Sequence, residues 1–320
     1  DPMYITNQHK LVNKLYKKGI HSFTKEYFNV NKINIGIISG DFVDHPVSFF
    51  ISTFLKNFDS NKFNVTCYSE CIIDTSVFSK DLEFTTIKNK SAIEVSNIIY
   101  SNKTHILLDL AGHTAFNRLD VFSLKPAPIQ ITYLGYPFTT GLNEMDYRIT
   151  DEICDGDFSV SQKFYTEKLI ALQNCFLNYD PTVLKKNNSL DLPNIDNSFA
   201  PRYTCNFLTI GCFNRLNKIT DANVVLYNNI LKSNEMIKFM FKTKALLNET
   251  VKKTFLEKFD NSVRNRIIIL DCTLSHEEHL QTYNKVDIAV DTFPYSGTTT
   301  SCEALFMGVP VFSIYDTVHY

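Results

Sequence analysis

Net charge of either sign is missing from this 320-residue chain: 32 Lys and Arg stand against 34 Asp and Glu, a formal −2. Without a basic or acidic excess, bulk attraction to nucleic acid or to an anionic membrane does not organise its function. Long apolar runs are missing too. The longest hold about six residues, where a spanning helix needs about 18 or more. The opening DPMYITNQHKLVNKLYKKG puts polar residues where a secretory signal would carry its apolar core. These absences predict a cytoplasmic, or nuclear, protein with neither a membrane nor a nucleic-acid partner.

The eight cysteines include no CxxC pair, and Cys67 in FNVTCYS and Cys212 in LTIGCF sit inside apolar strand-like segments. They read as reduced, buried thiols and not as a disulfide framework. His276 and His279 are spaced for one helical face, yet no third ligand lies close in sequence, so no metal site is expected. No internal repeat is visible. Neither a GxGxxG fingerprint, a GxxxxGK[ST] loop nor a GxSxG elbow occurs, which removes support for dinucleotide oxidoreductase, P-loop and α/β-hydrolase chemistry.

Hydrophobic residues make up 44% and charged residues 21%, a globular balance in a chain long enough for two domains. Short apolar strands alternate with amphipathic stretches. INIGIIS (33–39) reads as a buried strand, PVSFFISTFLKNF as a helix with Pro46 in its first turn, and FNVTCYS (63–69) as the next strand. SAIEVSNIIYSN is a helix, and THILLDLAG, IQITYLG and DYRIT are strands that complete a first β/α series. The stretch 181–205, rich in Pro, Asn and Ser, breaks the period. A second series then runs from FLTIGCF to VPVFSI and breaks off near Tyr320 without further helices. The expected organisation is a helical lead-in (1–30), a Rossmann-like half (31–185), a linker (186–205) and an incomplete Rossmann-like half (206–320), the two halves facing a cleft.

Ligands of open α/β sheets bind beyond the carboxyl ends of the strands, and four loops there carry notable residues. In VDIAVDTFPYSGTTTSCEALFMGVP a strand meets a turn ending at Gly297, and a helix begins at Thr298, Thr299 and Thr300. Gly297 permits close backbone approach, while the first helical amides and the threonine hydroxyls suit an anion such as a diphosphate. Glu303, four residues after Thr299, is placed to accept ribose hydroxyls. Plain helix capping by the threonines is the alternative. Lys218 in GCFNRLNKITD follows a strand and precedes a cap at Thr220, where a cation would neutralise a leaving diphosphate; a solvated surface lysine is its alternative. His45 in SGDFVDHPVS stands between a strand and a helix, in reach of proton transfer or of an acceptor hydroxyl. The fourth loop, LDLAGHTAFNRL, sets Gly112, His113 and Thr114 at a strand end.

Together GDFVDHPVSFF, LLDLAGHTAFNRLDVFSLKPAPIQITYLGYPFTTGLNEMDYRITD, FNRLNKIT and VDIAVDTFPYSGTTTSCEALFMGVPV resemble the catalytic region of the protein O-GlcNAc transferase and Spindly family. The block around PAPIQITYLGYP with DYRITD is the most specific part, and it speaks against an epimerase on a related fold. The resemblance implies a GT-B fold and an inverting, metal-independent transfer of a sugar from a nucleotide diphosphate to Ser or Thr of a protein acceptor. It places Lys218 on the diphosphate, Thr298 to Thr300 around the phosphates, and Glu303 on the ribose. His279 falls near base and ribose, His276 where animal members carry a base-contacting lysine, and His45 near sugar and acceptor, as general base if any residue is. The lead-in corresponds to the tail of a tetratricopeptide region. TFPYSGTTTSCE is closer to the Spindly branch, whose donor is GDP-fucose; the wider family favours UDP-GlcNAc as the donor here. An inactive or binding remnant of the fold is the third reading.

Overall fold

INIGIIS forms strand β1 (Ile33–Ser39) because its successive residues serve two cores. Ile35 and Ile37 join Val65 and Cys67 on one face, while Ile38 joins Tyr68 and Leu107 on the other. Burial on both faces is why such a strand reads as an apolar run and not as an alternation. In this computed structural model the described residues are 2–16, 18–42, 45–70, 81–181, 207–273 and 275–314, falling into two compact units on either side of 182–206. The expected linker at 186–205 lies outside them.

In the first unit β2 (Phe63–Ser69), β3 (Leu82–Thr86), β4 (Ile106–Asp109), β5 (Ile129–Thr132), β6 (Tyr147–Asp151) and β7 (Lys168–Leu172) join β1. The sheet is parallel throughout, in the order β3-β2-β1-β4-β5-β6-β7. Helix α1 (Pro2–Lys10) anchors to this unit through the Thr6 hydroxyl, which donates to the Phe164 carbonyl at 2.9 Å. Short turns at Leu11–Lys14 and Lys25–Phe28 follow. Helix α2 (Pro46–Asn57) covers one face with Val47, Ile51 and Leu55. Helices α3 (Ala92–Ser101) and α4 (Leu119–Phe122) cover the other with Val95, Ile99, Leu119 and Phe122. Helix α5 (Phe158–Ser161) is a single turn ahead of β7.

The sequence expectation missed β3 and β7. LEFTT carries a charge and has no fully buried residue, and KLIAL is an edge strand with Leu169 its only buried residue. Neither strand carries a burial pattern from which its sheet could be inferred.

The second unit holds β8 (Leu208–Cys212), β9 (Ile237–Phe241), β10 (Ile267–Ile269), β11 (Ile288–Val290) and β12 (Val311–Phe312), parallel in the order β10-β9-β8-β11-β12. Phe239 and Phe241 face helices α6 (Asp221–Ser233) and α7 (Glu249–Glu257). Met240, between them, faces helices α8 (His276–Gln281) and α9 (Thr299–Phe306). Both units are therefore doubly wound, and in each the strand order reverses once, beside β1 in the first and beside β8 in the second.

Candidate functional site

In the second unit β8 and β11 are neighbours whose chains leave in opposite directions, which opens a crevice at their carboxyl ends. Gly211, Phe213, Asn214, Asp291, Thr300 and Ser301 are among the residues that line it. Asp291, just past β11, organises the loop. One carboxylate oxygen accepts from the amides of Gly297 at 2.6 Å and Thr292 at 2.8 Å and from the Asn214 side-chain amide at 3.1 Å. The other accepts from the Ser313 hydroxyl at 3.2 Å. The turn this creates admits no side chain at residue 297. A Cβ there would lie 2.2 Å from Thr300 Oγ1 and 2.8 Å from Asn214 Oδ1. The close approach that Gly297 allows is thus made to the chain's own atoms.

Of the three threonines, Thr298 occupies the cap position of α9 without a side-chain cap bond, so plain capping does not explain it. Thr300 turns its hydroxyl onto Asn214 Oδ1 at 3.0 Å. The helix starts at Thr299, and its first-turn amides have no intrahelical acceptor, which makes the end electropositive.

Lys218 ends a short turn (Leu216–Lys218) after β8 and reaches this same loop. Its ammonium donates to the Ser296 carbonyl at 2.7 Å and lies 3.8 Å from the centre of the Tyr295 ring. It is not a solvated surface lysine. Burial pulls its pKa below the ordinary lysine value; Asp291 opposes that shift and Arg215 adds to it. The expected cap at Thr220 is present, its hydroxyl accepting the Asn223 amide at 3.3 Å, and the Asn223 side-chain amide ties α6 to the Phe293 carbonyl at 2.8 Å.

One turn along α9, Glu303 is buried at 5% exposure. Its Oε2 lies 3.0 Å from His279 Nε2 and 3.2 Å from the Tyr283 hydroxyl, and its Oε1 lies 3.9 Å from His276 Nδ1. The capping box of Ser275 and Glu278 starts α8 and fixes where both histidines emerge. Sequence reasoning missed the next member. Lys242, just past β9, places its ammonium 2.7 Å from His279 Nδ1. Burial pulls its pKa down, against the pull of Cys272, Glu303 and Glu278. Lys218, His276, His279, Gly297, Thr298, Thr299, Thr300 and Glu303 therefore all belong to the second unit, on its carboxyl-end loops and on α8 and α9.

His45 belongs to the first unit, where its Nδ1 caps α2 by accepting the Val47 amide at 3.3 Å and lies 3.5 Å from an Asp41 carboxylate oxygen. Burial raises the Asp41 carboxyl, with His45 pulling the other way. The PAPIQITYLGYP block with DYRITD has a different office. Arg148, 1% exposed, donates from Nη1 to the carbonyls of Tyr136 and Phe138, each at 3.0 Å. Glu167, fully buried, accepts the Thr140 amide at 2.7 Å and the Thr139 hydroxyl at 2.6 Å. His113 Nε2 meets the Thr140 carbonyl at 2.8 Å. Gly135 passes so close to Leu110 that an added Cβ would sit 1.8 Å from its carbonyl oxygen. The most family-specific stretch is buried polar architecture that pins one loop.

Among the described residues no group of three or more His, Cys, Asp and Glu is placed to hold a metal, and no helix is long and apolar enough to cross a membrane.

Two doubly wound units, one carrying a cation and an uncapped helix start at its switch point, define the GT-B class of glycosyltransferase folds. Residues 7–187 match glycosyl transferase family 41. The chain is 34% identical over 297 residues to the probable UDP-N-acetylglucosamine–peptide N-acetylglucosaminyltransferase SPINDLY of Arabidopsis thaliana, covering 90% of this chain and 31% of that protein. It is 28% identical over 298 residues to the Arabidopsis protein SEC, which carries the same probable activity in its name. This chain belongs to glycosyl transferase family 41. The solved O-GlcNAc transferase of Thermobaculum terrenum, as its K341M mutant, superposes with a TM-score of 0.84 at 28% identity, over 97% of this chain and 58% of that one. The Anabaena protein HepE, solved with UDP and glucose, shares the fold at a TM-score of 0.54 and 10% identity. The chain spans about a third of the length of its curated plant relatives.

Proposed function

We propose that this chain is the catalytic region of an inverting protein O-glycosyltransferase that moves GlcNAc from UDP-GlcNAc onto Ser or Thr hydroxyls of a protein acceptor. The carrying observation is the Lys218 ammonium, half-desolvated and 2.7 Å from the Ser296 carbonyl, on the loop that leads into the uncapped start of α9. That loop is where the diphosphate is assigned, with Thr298, Thr299 and Thr300 around it and Glu303 on the ribose.

In the reaction the acceptor oxygen attacks the anomeric carbon from the face opposite the diphosphate. The carbon–oxygen bond to the β-phosphate breaks, and negative charge grows on that phosphate. Lys218 and the α9 amides interact more strongly with that growing charge than with the intact donor, and this difference lowers the barrier. The cationic role falls to Lys218, so the reading needs no metal ion. His45 is assigned to orienting the acceptor hydroxyl and to taking up the proton that hydroxyl loses as the new carbon–oxygen bond forms. His276 and His279 are assigned to the base and ribose end of the donor.

The second reading keeps the residues and changes the donor to GDP-fucose, on the strength of the Spindly-like TFPYSGTTTSCE and the higher identity to SPINDLY than to SEC. Titration calorimetry of the 320-residue chain with UDP, GDP, UDP-GlcNAc and GDP-fucose tests both. Uridine ligands binding selectively is the expected result. Selective guanosine binding moves the donor to the second reading, and silence from all four refutes a nucleotide-sugar site here.

A further inference from the structure

Lys242 is a buried lysine, 5% exposed, that forms no ion pair with a carboxylate among the described residues. An ammonium has three donors and no acceptor, and each donor has a target: Thr273 Oγ1 at 3.1 Å, Thr282 Oγ1 at 3.3 Å and His279 Nδ1 at 2.7 Å. Burying a cation is costly, and a lysine that merely filled space would be replaceable by an apolar chain of the same length. The contact with His279 is what an apolar chain lacks.

That contact decides the state of the imidazole. Facing an ammonium, Nδ1 must offer its lone pair, so the ring proton sits on Nε2. Nε2 lies 3.0 Å from Glu303 Oε2 and therefore donates to it. The Tyr283 hydroxyl, 3.2 Å from the same oxygen and 3.1 Å from the Thr300 carbonyl, completes the grip. With Oε2 committed to protein donors, Oε1 is the oxygen offered to a ligand diol. The opposite tautomer would turn a lone pair of Nε2 onto the carboxylate and push Glu303 out of this rotamer.

We propose that Lys242 is a positioning residue for the nucleotide donor: by holding Nδ1 of His279 as an acceptor it sets the ring's tautomer, and through it the orientation in which Glu303 receives the ribose hydroxyls. The assignment rests on the donor-site reading above, since it takes Glu303 as the ribose acceptor. It differs from a phosphate-binding role because Lys242 spends all three donors inside the protein.

Two measurements on the full 320-residue chain test it. Long-range 1H–15N correlation spectra should show His279 as the neutral Nε2–H tautomer in wild type and in Lys242→Arg, which keeps a donor-only cation, and a tautomer mixture in Lys242→Met. Titration with UDP and GDP against their 2′,3′-dideoxy counterparts should show a preference for ribose of about tenfold or more, the value of a good buried hydrogen bond. Lys242→Arg should retain most of that preference, and Lys242→Met should bring it close to unity.

A wild-type His279 with its proton on Nδ1, or doubly protonated, overturns the proposal whatever the ligand does. A folded Lys242→Met that keeps the ribose preference overturns it too, and marks the lysine as structural only. If Lys242→Met fails to fold, the wild-type spectrum and the Lys242→Arg titration still decide. A wild-type chain that binds neither UDP nor GDP overturns the donor-site reading, and with it the ribose half of the proposal, while the spectrum still decides the lysine–histidine step.

Discussion

The two units use buried charge in opposite ways. In the first, Arg148 and Glu167 are consumed by backbone groups and hydroxyls of the loop at 136–140, and Asp109 takes the amides of Ala111 and Gly112 and the Thr132 hydroxyl. These contacts hold the shape of the loop, and Arg148 Nε stays buried with no partner among the described residues. In the second, Lys242, His279 and Glu303 form a chain ending on α9, and Lys218 meets the loop entering the same helix. Here the charge is directed at the end of a sheet, where open α/β folds bind ligands. A buried ionisable group is therefore not by itself a sign of chemistry. What separates the two cases is where the contacts end: on carbonyls, amides and hydroxyls of one loop in the first unit, and on the start of α9 in the second.

The comparison breaks most visibly at Arg148. Arg148→Met keeps the bulk and removes both carbonyl bonds, so unfolding free energy should drop by about 3 kcal/mol, the order expected for two buried acceptors left unsatisfied. Urea denaturation followed by circular dichroism measures it. A change of a few tenths would show that water replaces the guanidinium and that the loop does not depend on it.

Lys218→Ala should do the reverse, leaving stability almost unchanged while turnover falls about 10²-fold, comparable to losing one donor to a transition-state anion. Near-normal turnover would remove Lys218 from the leaving-group role. The wild-type pH profile sharpens this. Burial lowers the Lys218 pKa from the ordinary 10.5, and the ammonium is the useful form. On the proposed role, kcat/KM should hold at neutral pH and fall as pH rises through a value below 10.5. Lys218→Arg, charged throughout that range, should abolish the alkaline limb.

The smallest effect belongs to His45, a site candidate in the first unit. As a cap of α2 its removal in His45→Ala should cost about 1 kcal/mol, and His45→Asn, which caps equally well, should restore it. If turnover recovers with the Asn variant, the ring contributes only the cap; if turnover stays low while stability returns, the imidazole acts on the acceptor.

Residues whose environment is set by neighbours in sequence were legible. β1, α2, α6 and α9 follow from apolar runs, from Pro46 and from the cap at Thr220. Lys218, Thr299 and Glu303 could be singled out because a strand end followed by a helix start is a local pattern. Lys242 could not, since its partners lie 31 to 40 residues away in sequence. The hub role of Asp291 depends on Asn214, 77 residues distant. The block around PAPIQITYLGYP was conspicuous as a pattern, yet its architectural office is visible only once Arg148 is seen under the loop.

By itself, then, the sequence determined the alternation of strands and helices and the identity of the groups that flank each strand end, because hydrophobic periodicity and capping act over a few residues. Only the tertiary structure decided which of those groups meet. Strand order brings β8 beside β11 and thereby sets Lys218 against the turn before α9, and it is the desolvation of that shared crevice that makes a handful of common side chains into a candidate site.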